Sequence, residues 1–410
     1  MISVTEARRI ISKNLTIFGK KEVGFLDSGG CILAEDIVAD RDFPPFNRVT
    51  MDGIALRSSR INEGQLEFHI EHLQPAGSRK VALSDISNAI EVMTGAILPE
   101  NADAVIRYED LEIFEREGKK FARVMIDSVD PFKNVHQQGE DKVFGDVLIK
   151  KGTLISSPEI SVFATTGKKT VKVFEFPRTA IISTGDELVE VDNTPLEHQI
   201  RKSNVYAIYN ELKNLGVEAS LFHLKDNKEE LETRLKEIFN DYPLVILSGG
   251  VSKGKLDFVP GIMEELGIEK KFHFVTQRPG KPLWFGTSDK NVVFALPGNP
   301  VSTYMCFMIY VKTWLLICLN VEVQQYFATL DSDASFKPNL TYFMQVKLYF
   351  DEDSRLMAKP VIGHGSGDLA NLVKADAFME LPSGQTLFNS GTSFPVHIFR
   401  QYKVISDLEG

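Results

Sequence analysis

Cysteine is scarce in this chain. Cys31, Cys306 and Cys318 are the only three among 410 residues. None sits in a Cys-x-x-Cys pair, which removes zinc knuckles and dithiol redox motifs. The odd count and low density suit a reducing compartment. The first residues, Met1 to Arg8, lack the apolar core of a secretory leader, so a cytoplasmic protein is expected. The chain also has no HExxH, GxSxG, Walker A or Rossmann GxGxxG sequence. The common metallohydrolase, serine hydrolase, P-loop and dehydrogenase readings therefore have no motif behind them. Positive charge is in deficit: 46 Lys and Arg face 56 Asp and Glu, a formal net charge of -10. Such a surface repels nucleic acid and anionic membranes at long range, so neither is an expected partner. Any anionic ligand must meet a local cationic pocket. Long apolar runs are absent but for residues 301–319, which approach the length of a membrane span. Lys312 near the middle of that run would cost about 3 kcal/mol in lipid. The run follows a Gly/Pro loop and a strand-like stretch, so it predicts a buried helix of an α/β domain.

Hydrophobic residues make up 43% and charged residues 25%, enough apolar material for more than one core. At about 100–200 residues per domain, two to four domains are expected. Residues 3–18 predict an amphipathic helix capped by Ser3 or Thr5, with Ala7, Ile10, Ile11 and Leu15 on one face. Pro44-Pro45 forbids helix before Met51-Asp52-Gly53. Residues 54–130 alternate short apolar runs with turns and predict a β-rich unit. A break at Gly139-Glu140-Asp141 precedes a strand at 147–149 and a helix near 158–166.

Beyond that the pattern changes to strands at 179–183, 217–222, 244–247 and 292–295. They alternate with helices at 205–215 and 228–239, the latter carrying Asp226 and Glu229 as a capping box. This alternation predicts a doubly wound α/β domain at 173–325, whose ligands bind at the carboxyl ends of the strands. Strand patterns return from about 326, at 342–350 and 396–405, and predict a C-terminal β-barrel.

Three loops fall at the expected strand ends: Thr184-Gly185-Asp186-Glu187, Ser248-Gly249-Gly250 and Pro297-Gly298-Asn299-Pro300. Glycines let backbone N–H groups approach an anion closely. Ser248 and Ser252 add hydroxyls, and Lys253 and Lys255 add charge, which favours phosphate or pterin binding over a plain turn. Arg278-Pro279-Gly280-Lys281-Pro282 sets two cations on a stiff loop suited to oxyanions. Ser302 either caps the helix that begins after Pro300 or hydrogen-bonds a bound oxyanion. Asp52, Asp141, Asp186, Glu187 and Asp257 lie at loop positions. With substrate oxygens, such carboxylates suit Mg²⁺.

In order, these stretches resemble the MoeA (molybdopterin molybdenumtransferase) family, related to the gephyrin E domain. The matching segments are Phe46 to Gly53, Met93 to Pro99 with Ala102 to Val105, Gly139 to Asp141, Ile182 to Leu188, Ser248 to Gly254 with Asp257, Pro279 to Pro282, and Leu296 to Ser302. The resemblance covers nearly the whole chain and weakens after about residue 325. It implies a multidomain α/β fold. Domain I would be split over 1–41 and 140–172, a β-rich domain II would span 42–139, a MogA/MoeA-like α/β domain III 173–325, and a β-barrel domain IV 326–410. It also implies a homodimer, and a reaction in which adenylylated molybdopterin and molybdate give molybdenum cofactor and AMP with Mg²⁺.

Carried over to matching positions, catalytic roles fall to Asp52, Thr94, Asp141, Glu187 and Asp257, with Glu187 and Asp257 as metal ligands. Ligand binding falls to Ser248, Gly249, Gly250, Ser252, Arg278, Lys281, Pro297, Pro300 and Ser302. A molybdopterin adenylyltransferase and molybdoenzymes or carriers are the implied partners. Two positions depart from the family pattern: Asn47-Arg48-Val49 stands where Asp-Asn-Ser is common, and Lys202 where Asp is common. Two other readings compete. An adenylyltransferase would need only the α/β domain, and a non-catalytic scaffold would bind ligand without releasing AMP.

Overall fold

Ser3 Oγ accepts the Glu6 amide at 3.1 Å and starts the helix Val4–Lys13. Ala7 and Ile11 are buried on its inner face, whereas Leu15 lies beyond its end and is exposed. The computed structural model describes residues 1–251 and 258–400. Ser252, Lys253, Lys255 and Asp257 therefore lie outside the described residues. The chain forms two compact units. One holds Met1–Glu35, Lys151–Ser157 and everything from Thr170; the other holds Asp36–Lys150 and Pro158–Lys169.

The first unit is built on a six-stranded sheet. Its spatial order is Ala219–Leu224, Thr179–Thr184, Leu244–Ser248, Val292–Leu296, Trp284–Thr287 and Glu269–His273. The first four strands are parallel; Trp284–Thr287 runs antiparallel to them, and Glu269–His273 pairs antiparallel with Trp284–Thr287. The central strands Thr179–Thr184, Leu244–Ser248 and Val292–Leu296 are buried at every position because both sheet faces are covered. Alternate residues then enter different cores. Ile181, Ile246 and Phe294 join one core with the Val4–Lys13 helix. Ile182, Val245 and Ala295 join the other with the helix Lys228–Asp241.

The segment Pro300–Cys318 is long and apolar enough to cross a membrane by composition. In the fold it is a core helix: Met305, Phe307, Val311 and Trp314 pack into the first core. Its middle, Phe307–Lys312, is π-helical. Lys312 reaches Glu211 at 2.8 Å.

Five strands close a barrel in the same unit, in the order Thr341–Phe350, Leu356–Pro360, Tyr326–Leu330, Ser393–Ile398 and Ala377–Leu381, which pairs back with the first. Leu330, Val346, Met379 and Val396 fill it. Phe343 and Phe378 pack instead with the core around the Pro300–Cys318 helix.

The second unit has a six-stranded sheet ordered Ala104–Arg107, Gly53–Leu56, Ala89–Val92, Glu67–Gln74, Lys119–Val124 and Leu111–Arg116. Ile54, Leu56 and Ile106 line one face and Ala55, Ile90 and Val105 the other. Gly53 is required by crowding: a Cβ there would lie 1.9 Å from the Ile106 carbonyl oxygen.

Candidate active site

Chain order crosses the α/β sheet between Thr179–Thr184 and Leu244–Ser248, because the intervening strand Ala219–Leu224 lies to the other side. The gap between the carboxyl ends of such strands is where open α/β sheets bind ligands. A cleft of about 390 Å³ opens there. Of the residues singled out in sequence, Glu187, Ser248, Gly249, Gly250, Pro297 and Pro300 line it. Gly249 and Gly250 have φ of +103° and +69°, and Cβ atoms there would come within 2.9 Å of Thr184 Oγ1 and 2.7 Å of Val259 Cγ2 respectively. The turn is therefore restricted to glycine by both conformation and space.

Asn204 crosses the cleft floor. Its Nδ2 faces Ser248 Oγ at 2.9 Å, the Gly298 carbonyl at 2.7 Å and Thr303 Oγ1 at 3.1 Å. One side chain thus ties the end of one strand to the loop after another. Two buried polar atoms on the cleft, Thr184 Oγ1 and Asn204 Oδ1, have no hydrogen-bond partner among the described residues. Buried polar atoms in native proteins are nearly always satisfied.

A second hollow of about 1020 Å³ adjoins the cleft and shares Pro282, Pro297, Gly298 and Asn299 with it. Arg278, Lys281 and Ser302 line it, with Lys337 and His364. The cationic loop is pinned from below. Buried Gln277 donates to the Gly280 carbonyl at 2.8 Å and accepts from the Tyr310 hydroxyl of the π-helical stretch. Arg278 lies over the Phe336 ring, and neither it nor Lys281 has a carboxylate partner among the described residues. The ligand-binding residues read from sequence that lie among the described residues are thus divided between two adjoining hollows.

Two capping assignments need correction. Asn299, not Ser302, is the N-cap of the long apolar helix, and Ser302 is buried in its first turn. The Val301 amide there is satisfied by the Ser366 carbonyl at 3.1 Å. Likewise Asn227, not Asp226, caps Lys228–Asp241, accepting the Glu230 amide at 3.0 Å. Asp226 lines the cleft instead.

In the second unit, Asp52 and Thr94 meet. Asp52 Oδ1 accepts the Thr94 amide at 2.6 Å and its hydroxyl at 2.8 Å. These bonds, the backbone one foremost, hold the Asp52 carboxyl below its ordinary range. Asp141 joins neither; it bonds His136 at 3.0 Å, whose other nitrogen meets Arg48 at 3.1 Å. Asn47 Oδ1 accepts the Gln138 amide at 2.8 Å.

Asn204 carries no separate sequence signal, since its partners Ser248, Gly298 and Thr303 are distant in the chain. Glu187 is exposed, and its carboxylate folds back within 2.5 Å of where a Cβ on Gly185 would lie. Among the described residues no three His, Cys, Asp or Glu groups converge as a metal cage. Mg²⁺ usually takes one or two carboxylates and completes its shell with phosphate oxygens and water. Glu187 and Asp226, both lining the cleft, fit that donor set.

Comparison with known proteins agrees with this geometry. The MoeA N-terminal region (domain I and II) matches residues 2–167, a probable molybdopterin binding domain matches 180–316, and the MoeA C-terminal region (domain IV) matches 328–399. A Synechocystis protein named molybdopterin molybdenumtransferase is 37% identical over 97% of this chain and 100% of its own length. The chain belongs to the MoeA family. A Bacillus subtilis MoeA-family relative of the same name is 33% identical over 92% of this chain and 90% of its own. The crystal structure of a molybdopterin biosynthesis MoeA protein from Pyrococcus horikoshii superposes with a TM-score of 0.82 at 30% identity, covering 98% of this chain and 100% of that one. The match spans both units and the barrel, as expected for a multidomain MoeA fold.

Proposed function

We propose that this MoeA-family chain is a molybdopterin molybdenumtransferase that inserts molybdenum into adenylylated molybdopterin, giving molybdenum cofactor and AMP. The observation that carries the reading is the pair of adjoining hollows sharing the Pro297–Asn299 wall. One has a glycine turn and unpartnered polar atoms suited to a phosphate-bearing organic ligand. The other has Arg278, Lys281 and Ser302, suited to a tetrahedral oxyanion. The chemical difficulty is to bring two anions together in an acidic protein. Cations and backbone donors fixed in advance lower that repulsion without reorganisation, and a shared wall supplies proximity.

In this reading the Ser248-Gly249-Gly250 turn, with Pro297 and Pro300 shaping the facing loop, cradles phosphate. Arg278, Lys281 and Ser302 orient molybdate. Glu187, with Asp257 from outside the described residues, would hold Mg²⁺, which supplies charge neutralisation at the phosphoanhydride. Asp52, Thr94 and Asp141 are assigned to the reaction by family resemblance. The same resemblance supports a homodimer, a cytoplasmic location, and exchange of substrate and product with an adenylyltransferase and with molybdoenzymes or carriers. Full-length similarity to transferases leaves the adenylyltransferase and scaffold readings without support.

The test is incubation with adenylylated molybdopterin, molybdate and Mg²⁺, following AMP release and protein-bound molybdenum together. Coupled appearance of both is expected. AMP formed from ATP and apo-molybdopterin, or ligand retained without AMP release, would replace the reading.

A further inference from the structure

We infer that Lys202 is a phosphate-binding residue of the cleft, its ammonium shared between phosphate and the competing Glu190 carboxylate; this rests on the cleft being the site of the phosphate-bearing substrate. Among the described residues, four charged side chains line the cleft: Glu187, Arg201, Lys202 and Asp226. Of these only Lys202 is buried, at 8% exposure. Arg201 is exposed and gives its Nε to the Asn193 carbonyl at 3.1 Å.

The partner of Lys202 is unusual in its placement. Its ammonium bonds Glu190, whose side chain is 54% exposed and does not line the cleft. The other Glu190 oxygen takes the Tyr206 hydroxyl at 2.8 Å. An ammonium has three N–H donors, and the described residues give this one a single carboxylate. Burying a charge is costly unless it is paired and its donors are satisfied.

The same unit holds a contrasting pair. Lys312 bonds Glu211 at 2.8 Å, and Glu211 also takes a tyrosine hydroxyl, that of Tyr304. There the carboxylate is the more buried partner, 13% exposed against 25% for the lysine. Lys312 lines neither hollow. That arrangement satisfies a core carboxylate. At Lys202 the order is reversed: the cation is the buried partner, on a residue that lines the cleft, and the carboxylate is exposed.

The surroundings fit an anion. Thr184 Oγ1 is buried on the same cleft without a partner among the described residues. The Gly249-Gly250 turn lines the same cleft at the strand end. His223, bonded to Ser183 at 3.0 Å, is driven toward its neutral form by burial first and by the Lys202 charge second. The ammonium therefore supplies the inner positive charge of this wall.

The experiment titrates AMP and adenosine, which differ only in the phosphate, against the wild-type protein, Lys202→Met and Glu190→Gln. A lost charge-assisted hydrogen bond corresponds to a weakening on the order of tenfold. Lys202→Met is expected to weaken AMP to that degree and leave adenosine nearly unchanged. Glu190→Gln, which keeps the ammonium and removes its competitor, is expected to tighten AMP and not adenosine; it also answers the question should Lys202→Met not fold. In Lys202→Met the His223 midpoint followed by NMR should rise. AMP binding unaffected in Lys202→Met, or AMP and adenosine weakened alike, would overturn the role of Lys202 while leaving the cleft assignment standing. A wild-type protein that binds neither AMP nor adenosine would remove the cleft assignment itself, and this inference with it.

Discussion

Asn204 Nδ2 lies 2.9 Å from Ser248 Oγ and 2.7 Å from the Gly298 carbonyl, so one amide links two strand ends of the cleft. Asn204→Ala leaves buried acceptors without their donor, a cost of about 1–3 kcal/mol. Asn204→Asp is expected to be worse despite its closer shape, because a carboxylate oxygen would face the Gly298 carbonyl. Thermal melts and AMP titrations of both variants test this. An aspartate variant as stable and as tight-binding as wild type would show that the amide donor is dispensable.

Gly53 has no room for a side chain. A Cβ would approach the Ile106 carbonyl oxygen to 1.9 Å and Arg107 Cα to 2.8 Å, both backbone atoms. The strand pair Gly53–Leu56 and Ala104–Arg107 would have to separate. Gly53→Ala should lose more than the roughly 1 kcal/mol of an average substitution, measured as a lower denaturation midpoint. An unchanged midpoint would mean that the sheet yields at no cost.

Much of this architecture is legible in sequence because the central strands are continuous apolar runs. Val245-Ile246-Leu247 and Val293-Phe294-Ala295 are buried on both faces. The strand Glu269–His273 is not legible. It lies at the sheet edge with only Phe272 buried, so its Glu-Lys-Lys start looks like a solvated loop. Helix starts are legible to within a residue. Asp226 and Asn227 are adjacent with similar capping propensity, and Asn227 takes the cap. The glycine and proline loops of the cleft stand out because few residue types fit them. Asn204 does not stand out: its partners Ser248 and Gly298 are 44 and 94 residues away in the chain.

Thr94 should tune Asp52. Its amide first and its hydroxyl second stabilise the Asp52 carboxylate, lowering the carboxyl below 3.8. A lowered carboxyl stabilises the fold above its unfolded value, and that contribution is lost as pH falls through the folded value. Thr94→Val removes the hydroxyl and keeps the amide. The Asp52 midpoint should rise toward 3.8 without reaching it, as read by carboxyl NMR titration. No movement would mean that the hydroxyl does not hold the carboxylate in solution.

Glu380 anchors the N-terminal helix to the barrel. Arg8 bonds both its oxygens, at 3.0 and 2.7 Å, and His397 bonds one at 2.9 Å. Burial would raise its carboxyl, but bonds to His397 and Arg8 overcome this and hold it at about 2, against 4.5 ordinarily. That difference corresponds to stability on the order of 3 kcal/mol at pH 7. It is fully present above pH 4.5 and is lost as pH falls toward 2. Glu380→Gln should therefore be clearly less stable than wild type at pH 7, with the gap narrowing below pH 4.5. Denaturant melts at pH 7 and pH 3.5 check the sign; an equal gap at both would assign the loss to packing.

Substitution of Lys281 should separate the two hollows functionally. It lines the larger hollow with Arg278 and Ser302 and does not line the cleft of Ser248 and Gly249. Its side chain is exposed, so water and salt screen its attraction for an oxyanion. The effect of Lys281→Ala should sit near the low end of charged hydrogen bonds, about 1.5 kcal/mol or roughly tenfold in the molybdate concentration for half-maximal rate. AMP binding should stay within about twofold, since a rim charge in another hollow is screened over a Debye length. Raising the ionic strength should narrow the difference between variant and wild type in molybdate use. The Val275 amide donates to the Lys281 carbonyl at 3.0 Å and the Gln277 side-chain amide donates to the Gly280 carbonyl at 2.8 Å; the substitution keeps both, so the melt should not move. Unchanged molybdate dependence would place the oxyanion elsewhere. Equal loss of molybdate and AMP would mean that the loop shapes both hollows and that its charge selects neither.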